Sequence, residues 1–224
     1  MSNHNLILEV SIDNYMIYNN NSIFNKLILI AFPVALLLFL AGWSDSWEGI
    51  KKAAGRIDSV HADFVQEKHL PILARPLVSK GVFYYRQPDA LRWEYTSPVR
   101  SILIMHQGDA KRYIQTESGL EEDAGQGLSA MQFVLPEIAA WLSGRFDDNP
   151  MFTATLEKGP KIVLTPKTEA FSKIILRIEL LFADQPGVIN TVTIFENEIA
   201  FTRIVFKNTT INQPIPDSLF KGVK

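Results

Sequence analysis

From Gly81 to Tyr95 the chain reads GVFYYRQPDALRWEY, and its apolar positions recur at every second residue. Val82 and Tyr84 fall on one side and Phe83 and Tyr85 on the other, while Leu91, Trp93 and Tyr95 share a face opposite Arg92 and Glu94. A period of two predicts strands. The pattern continues through RSILIMH and AKRYIQT, with QGD at Gln107 to Asp109 as the hairpin turn between them.

Upstream, DSWEGIKKAAGRIDSV at residues 45–60 places Trp47, Ile50, Ala54 and Ile57 at helical spacing, with Asp45 as the expected N-cap. HADFVQEKHL then reads as a first strand around Phe64. PILARPLVSK carries two prolines and is expected to be a loop or an interrupted edge strand. Residues 120–150 break the alternation. EEDAGQG is a polar loop, and LSAMQFVL and PEIAAWLSGRF read as two short helices, with Pro136 in a first turn and Gly144 just past a helix end. Their apolar positions include Met131, Phe133, Ile138, Trp141 and Leu142.

Strand patterns return in MFTATLE, PKIVLTP, KIILRIELLF, VINTVTIF and IAFTRIVFK, before a polar tail, INQPIPDSLF. In KIILRIELLF, Leu176, Ile178 and Leu180 alternate with Arg177 and Glu179, the mark of a half-buried antiparallel strand. Strands and helices do not alternate, which disfavours a doubly wound fold. The expected class is mainly β with α (α+β): an incomplete antiparallel β-barrel of about 9–11 strands covered by a lid of short helices.

Near the N-terminus LILIAFPVALLLFLAG, Leu27 to Gly42, is apolar throughout and follows Lys26. Sixteen residues rise about 24 Å as a helix, short of the roughly 20 residues that span a bilayer. Residues 1–43 are therefore read as a secretory signal peptide or an uncleaved inner-membrane anchor, with an asparagine-rich extension before it. Residues 44–224 are expected to form a single half-barrel domain.

The 224 residues are 47% hydrophobic with a formal charge of −2, so no positive field is available to draw nucleic acid. There is no cysteine, which removes disulfides, thiolate catalysis and cysteine zinc sites. His61, His69 and His106 lack metal-ligand spacing, and no Gly-x-Ser-x-Gly elbow is present. No enzyme, cofactor or metal is expected.

HADFVQEK at His61 to Lys68, Gly81, RQPDALRWEYTSP from Arg86 to Pro98, and SILIMHQGDAKRY together resemble the outer-membrane lipoprotein carrier family of the LolA type. The resemblance lies in the order and spacing of these segments and weakens after residue 115. It implies a half barrel under a helical lid, in a periplasmic monomer that ferries acylated lipoproteins from an inner-membrane ABC-type exporter to an outer-membrane receptor. The alternatives are a carrier of another acylated lipid, glycolipid or polyene, and a lipoprotein-sensing regulator of envelope stress.

Under this resemblance the acyl cavity is expected to be lined by Phe64, Phe83, Tyr85, Leu91, Trp93 and Tyr95 on the first strands. Ile102 and Ile104 follow them, with Met131, Phe133, Trp141 and Leu142 from the lid. Carriers of this family have an arginine before the motif's proline, where it holds the lid; here that position is Gln87, with Arg86 one residue earlier. Neighbours on a strand face opposite sides, so Arg86 does not simply replace it. Both are lid-latch or partner candidates. Arg92 and Glu94 are expected to be a solvated pair.

Overall fold

The computed structural model describes residues 46–123, 137–138, 140–146, 149–159 and 161–223. Residues 45–224 form one compact unit. Its first element, helix α1 (Trp47–Ala54), is capped by Ser46, whose side chain accepts a hydrogen bond from the Gly49 amide. The cap is thus Ser46 and not Asp45. Ile50 and Ala54, four residues apart, are its buried positions.

Among the described residues eleven antiparallel strands follow: β1 (Ser59–His69), β2 (Leu77–Arg86), β3 (Ala90–Ser97), β4 (Ser101–His106), β5 (Asp109–Thr116) and β6 (Gly119–Glu122), then β7 (Phe152–Glu157), β8 (Lys161–Pro166), β9 (Arg177–Phe182), β10 (Ile189–Phe195) and β11 (Phe201–Ile211). They make one sheet in the order β6-β5-β4-β3-β2-β1-β11-β10-β9-β8-β7. The two halves meet where β1 pairs with β11. The sheet remains open, with β6 and β7 at its edges. The expected incomplete antiparallel barrel is what forms.

Local chemistry explains the joints. Gln107 and Gly108 both have positive φ, 53° and 82°, as a two-residue hairpin turn of the primed kind requires. Leu77 to Lys80, read as loop or edge, belong to β2, a central strand. The two prolines, Pro71 and Pro76, lie before the strand begins, so they remove no hydrogen bond from its ladder. The four-residue helix α2 (Glu169–Ser172), capped by Thr168, was not expected.

Two apolar clusters flank the sheet. The large one gathers Phe64, Phe83, Leu91 and Trp93 with residues of β7 to β11, α1 and the segment around Trp141. The small one, on the other face of β3 to β5, holds Ala90, Ile102, Ile104, Tyr113 and Phe220. Phe220 comes from the C-terminal 3-10 turn Asp217–Phe220. The tail that reads as polar therefore covers part of the sheet.

Candidate functional site

The inner face is built by strand alternation. Phe64 on β1, Phe83 and Tyr85 on β2, and Leu91 and Trp93 on β3 are all buried and belong to the large cluster, with Tyr95 packed half-buried beside them. Register puts them side by side: Phe83 pairs with Trp93 and Tyr85 with Leu91. The rings meet at angles, Phe64 tilted on Trp93 at 4.7 Å and Phe83 edge-on to Trp93 at 5.4 Å. Gly81, opposite Phe64, leaves the space for this. A Cβ there would collide with the Phe64 ring and the Glu94 carbonyl.

Ile102 and Ile104 are placed differently from expectation. They lie on the outer face in the small cluster, and their neighbours Leu103 and Met105 face inward. SILIM is apolar on both faces, so alternation alone leaves its direction open. Register decides it: Leu103 pairs with Trp93 and Met105 with Leu91, and paired residues share a face.

Over the inner face lies a helical segment at residues 137–138 and 140–142, closed by Gly144 in the left-handed conformation, φ 77°. Trp141 and Leu142 are buried against the sheet, as expected of a cover. Trp141 stands edge-on to Phe152 of β7 at 6.3 Å. The Ser143 and Tyr85 hydroxyls share a hydrogen bond of 2.7 Å. Met131 and Phe133 lie outside the described residues.

Two small apolar cavities remain at this seam, about 30 and 10 Å³. The larger touches Trp93, Trp141 and Ile138 on one side and Val192, Ile194 and Ile204 on the other; Leu142, Ile189 and Phe206 border both. Ligand pockets are typically roughly 300–1,000 Å³, so a chain-like ligand enters here only if the cover or the rings move. The residues of β10 and β11 were not among the expected lining. Their alternation in VINTVTIF and IAFTRIVFK was legible, but which face met the first half of the sheet was not.

Electrostatics on this face are quiet. Burial pushes the Tyr85 hydroxyl above its usual pKa, against the Ser143 hydrogen bond, and does the same at Tyr95 against Trp93 and Gln66. The Tyr95 hydroxyl donates to Gln66 Oε1 at 2.9 Å. The Trp93 and Trp141 indole nitrogens are buried with no partner in hydrogen-bonding geometry. Among the described residues no group of acids and histidines could hold a metal.

Residues 55–222 match the family described as outer membrane lipoprotein carrier protein LolA. The chain belongs to the LolA family. An outer-membrane lipoprotein carrier protein of Photorhabdus laumondii is 28% identical over 79 residues, 35% of this chain and 39% of that protein, so the match spans well under half of that relative. Among solved structures, the Pseudomonas aeruginosa MucA/MucB complex aligns at 15% identity and a TM-score of 0.46, over 80% of this chain and 60% of that one. A LolA superfamily protein from Nitrosomonas europaea aligns at 10% identity and 0.42, over 79% and 98%. Both likenesses concern the fold alone.

The two latch candidates of this LolA-family chain go to different places. Gln87, in the β2–β3 turn, donates from Nε2 to the Ile57 carbonyl at 2.9 Å and from its amide to the Asp58 carbonyl at 2.8 Å. It thus ties the turn to the connection between α1 and β1. Arg86 points to the outer face, where it pairs with Asp217, donates to the Ile215 carbonyl at 3.1 Å and lies over the Phe220 ring. Arg86 does not stand in for an arginine at position 87.

Arg92 and Glu94 are a correction: Arg92 is buried and Glu94 half-buried, so the pair is not solvated. Arg92 donates to Glu94 at 2.7 Å and to the Leu219 carbonyl at 3.0 Å, and Arg100 holds the other Glu94 oxygen at 2.9 Å. Burial pushes the Glu94 carboxyl up, but these hydrogen bonds outweigh it and hold it below the usual value.

Proposed function

We propose that this chain is a non-catalytic periplasmic carrier that holds the acyl chains of a lipoprotein, or of another acylated molecule, between the inner sheet face and its helical cover. The observation that carries the reading is the seam itself. A continuous apolar face, contributed by both halves of the sheet, is roofed by an apolar cover that leaves two small apolar gaps, in a member of the lipoprotein carrier family.

The energetics suit a carrier. Burying an acyl chain gains about 0.8 kcal/mol per methylene, or roughly 12 kcal/mol for sixteen carbons, and a bilayer offers the same gain. A cavity that has to open, and that refills with its own side chains afterwards, keeps the affinity near that of the membrane. Direction then comes from partners, here read as an inner-membrane exporter and an outer-membrane receptor. Tyr85–Ser143 and Gln87–Ile57 are the ties that opening would strain.

Native mass spectrometry of the full chain purified from the periplasm of its source, followed by organic extraction, tests this. A stoichiometric acylated species supports it. A cargo-free protein that also fails to take up a fluorescent acyl probe overturns it.

A further inference from the structure

The strands are antiparallel, so the connections after β1, β3, β8 and β10 all emerge at the same end of the sheet. Eight large apolar side chains are exposed among the described residues, and seven lie at this end, five in these four connections and two at the start of β2. Ile72 and Leu73 are in the β1–β2 connection, with Leu77 and Val78 opening β2; Val99 follows β3, Ile174 follows α2 and Ile199 follows β10. The eighth, Leu181, sits within β9. Scattered exposed apolar residues are ordinary; their concentration at one end is not.

The β1–β2 hairpin extends beyond the end of β3. Pairing between β2 and β3 begins only at Lys80, and pairing between β1 and β11 ends at His69. Leu77 and Val78 therefore hydrogen-bond to β1 alone, and the turn beyond them carries Ile72, 88% exposed, between Pro71 and Pro76.

Charge on the β1–β2 hairpin has one sign left over. No acid occurs from Lys68 to Pro88, and Arg75 and Lys80 are exposed with no ion pair among the described residues. The acids of the β8–β9 and β10–β11 connections are engaged, Glu196 with Lys68 at 2.9 Å, Glu198 with Arg177 at 3.3 Å and Glu169 with Lys173 at 3.1 Å, while Glu117 lies apart in the β5–β6 turn.

We propose that this end of the sheet docks on an anionic lipid bilayer, with Ile72 and Leu73 entering the interface and Arg75 and Lys80 meeting headgroup phosphates. Apolar side chains presented singly from several turns, beside free cations, suit a fluid surface that accepts each one separately. A rigid partner protein would need a groove or a continuous patch. The proposal does not depend on the cargo.

The sequence contains no cysteine, so Ile72→Cys gives the full chain a single site for an environment-sensitive fluorophore. Asp184→Cys, in the exposed β9–β10 turn at the opposite end, is the control. With vesicles of phosphatidylethanolamine and phosphatidylglycerol, the label at 72 shifts to the blue and the label at 184 does not. Replacing Leu73 by Ser in the labelled Ile72→Cys protein weakens that response about fivefold or more. Arg75→Gln and Lys80→Gln each weaken it about fivefold at low salt. An unchanged label at 72 while the protein co-sediments with the vesicles overturns the proposal, because attachment then runs through another segment. So does a shift at 72 that rises with protein concentration without vesicles, which would make the occupant a second copy of the chain.

Discussion

The two faces of the sheet are both apolar, yet they are covered by different physics. On the inner face the cover packs through Trp141, Leu142 and Phe146 against rings and aliphatic side chains. On the outer face the C-terminal tail adds only a small apolar cluster and is anchored by charge: Arg92 to the Leu219 and Gly222 carbonyls, Arg86 to Asp217 and the Ile215 carbonyl. Dispersion and burial are non-directional, so an apolar seam can reopen and close around a guest. Directed hydrogen bonds from the buried Arg92 and half-buried Arg86 guanidinium groups fix one geometry. The comparison separates a face closed by non-directional packing, the one proposed to take up cargo, from a face closed by directed bonds.

The strongest way to break it is to damage the shared wall. Phe83 is fully buried on the inner face, and Phe83→Ala is expected to cost about 3–5 kcal/mol in urea unfolding. A cost under about 1 kcal/mol would mean that the inner face is already loose there. Next comes the outer anchor. Arg92→Ala leaves Glu94 with Arg100 but frees the tail carbonyls, and a loss of about 2–3 kcal/mol is expected, with hydrogen exchange rising first over residues 215–223. Equal exchange in the tail would show that the anchor is not what holds it.

A smaller change sharpens the contrast. Tyr85→Phe removes the hydroxyl bonded to Ser143 while keeping the ring, at about 1 kcal/mol. It should speed uptake of an acyl probe and leave tail exchange untouched; slower uptake would contradict the opening seam.

The smallest effect is expected from acid. Hydrogen bonding and charge from Arg86 hold the Asp217 carboxyl below its ordinary value. A carboxyl with a depressed folded pKa stabilises above its unfolded pKa, and that contribution disappears as pH falls through the folded one. Tail exchange should therefore stay flat from neutral pH to the ordinary carboxylate range, about 4, and rise only below it. Asp217→Asn should raise exchange at neutral pH and abolish that acid dependence, and a pH response that survives it would assign the effect to Glu94.

Much of this was legible in the chain. Which residues of β2 and β3 share a face followed from strict alternation, and the hairpin turn from QGD at Gln107 to Asp109. Gly144 marked the end of the cover. Ile102 and Ile104 failed because SILIM offers two apolar faces, so nothing local says which one looks inward. Arg92 and Glu94 failed for the complementary reason: an alternating charged face reads as solvated whenever the segment that buries it lies far along the chain.

What the sequence by itself determined is the period of each strand, the hairpin chemistry and the order of segments that places the chain in its family, because those depend on neighbours a few residues apart. Only the tertiary structure decided which apolar face became the roofed interior, that the tail seals the other, and that seven exposed side chains gather at one end. Each of these depends on contacts such as Arg92 with Leu219, 127 residues apart, where burial and charge are set by what the fold brings near and not by what the chain has beside it.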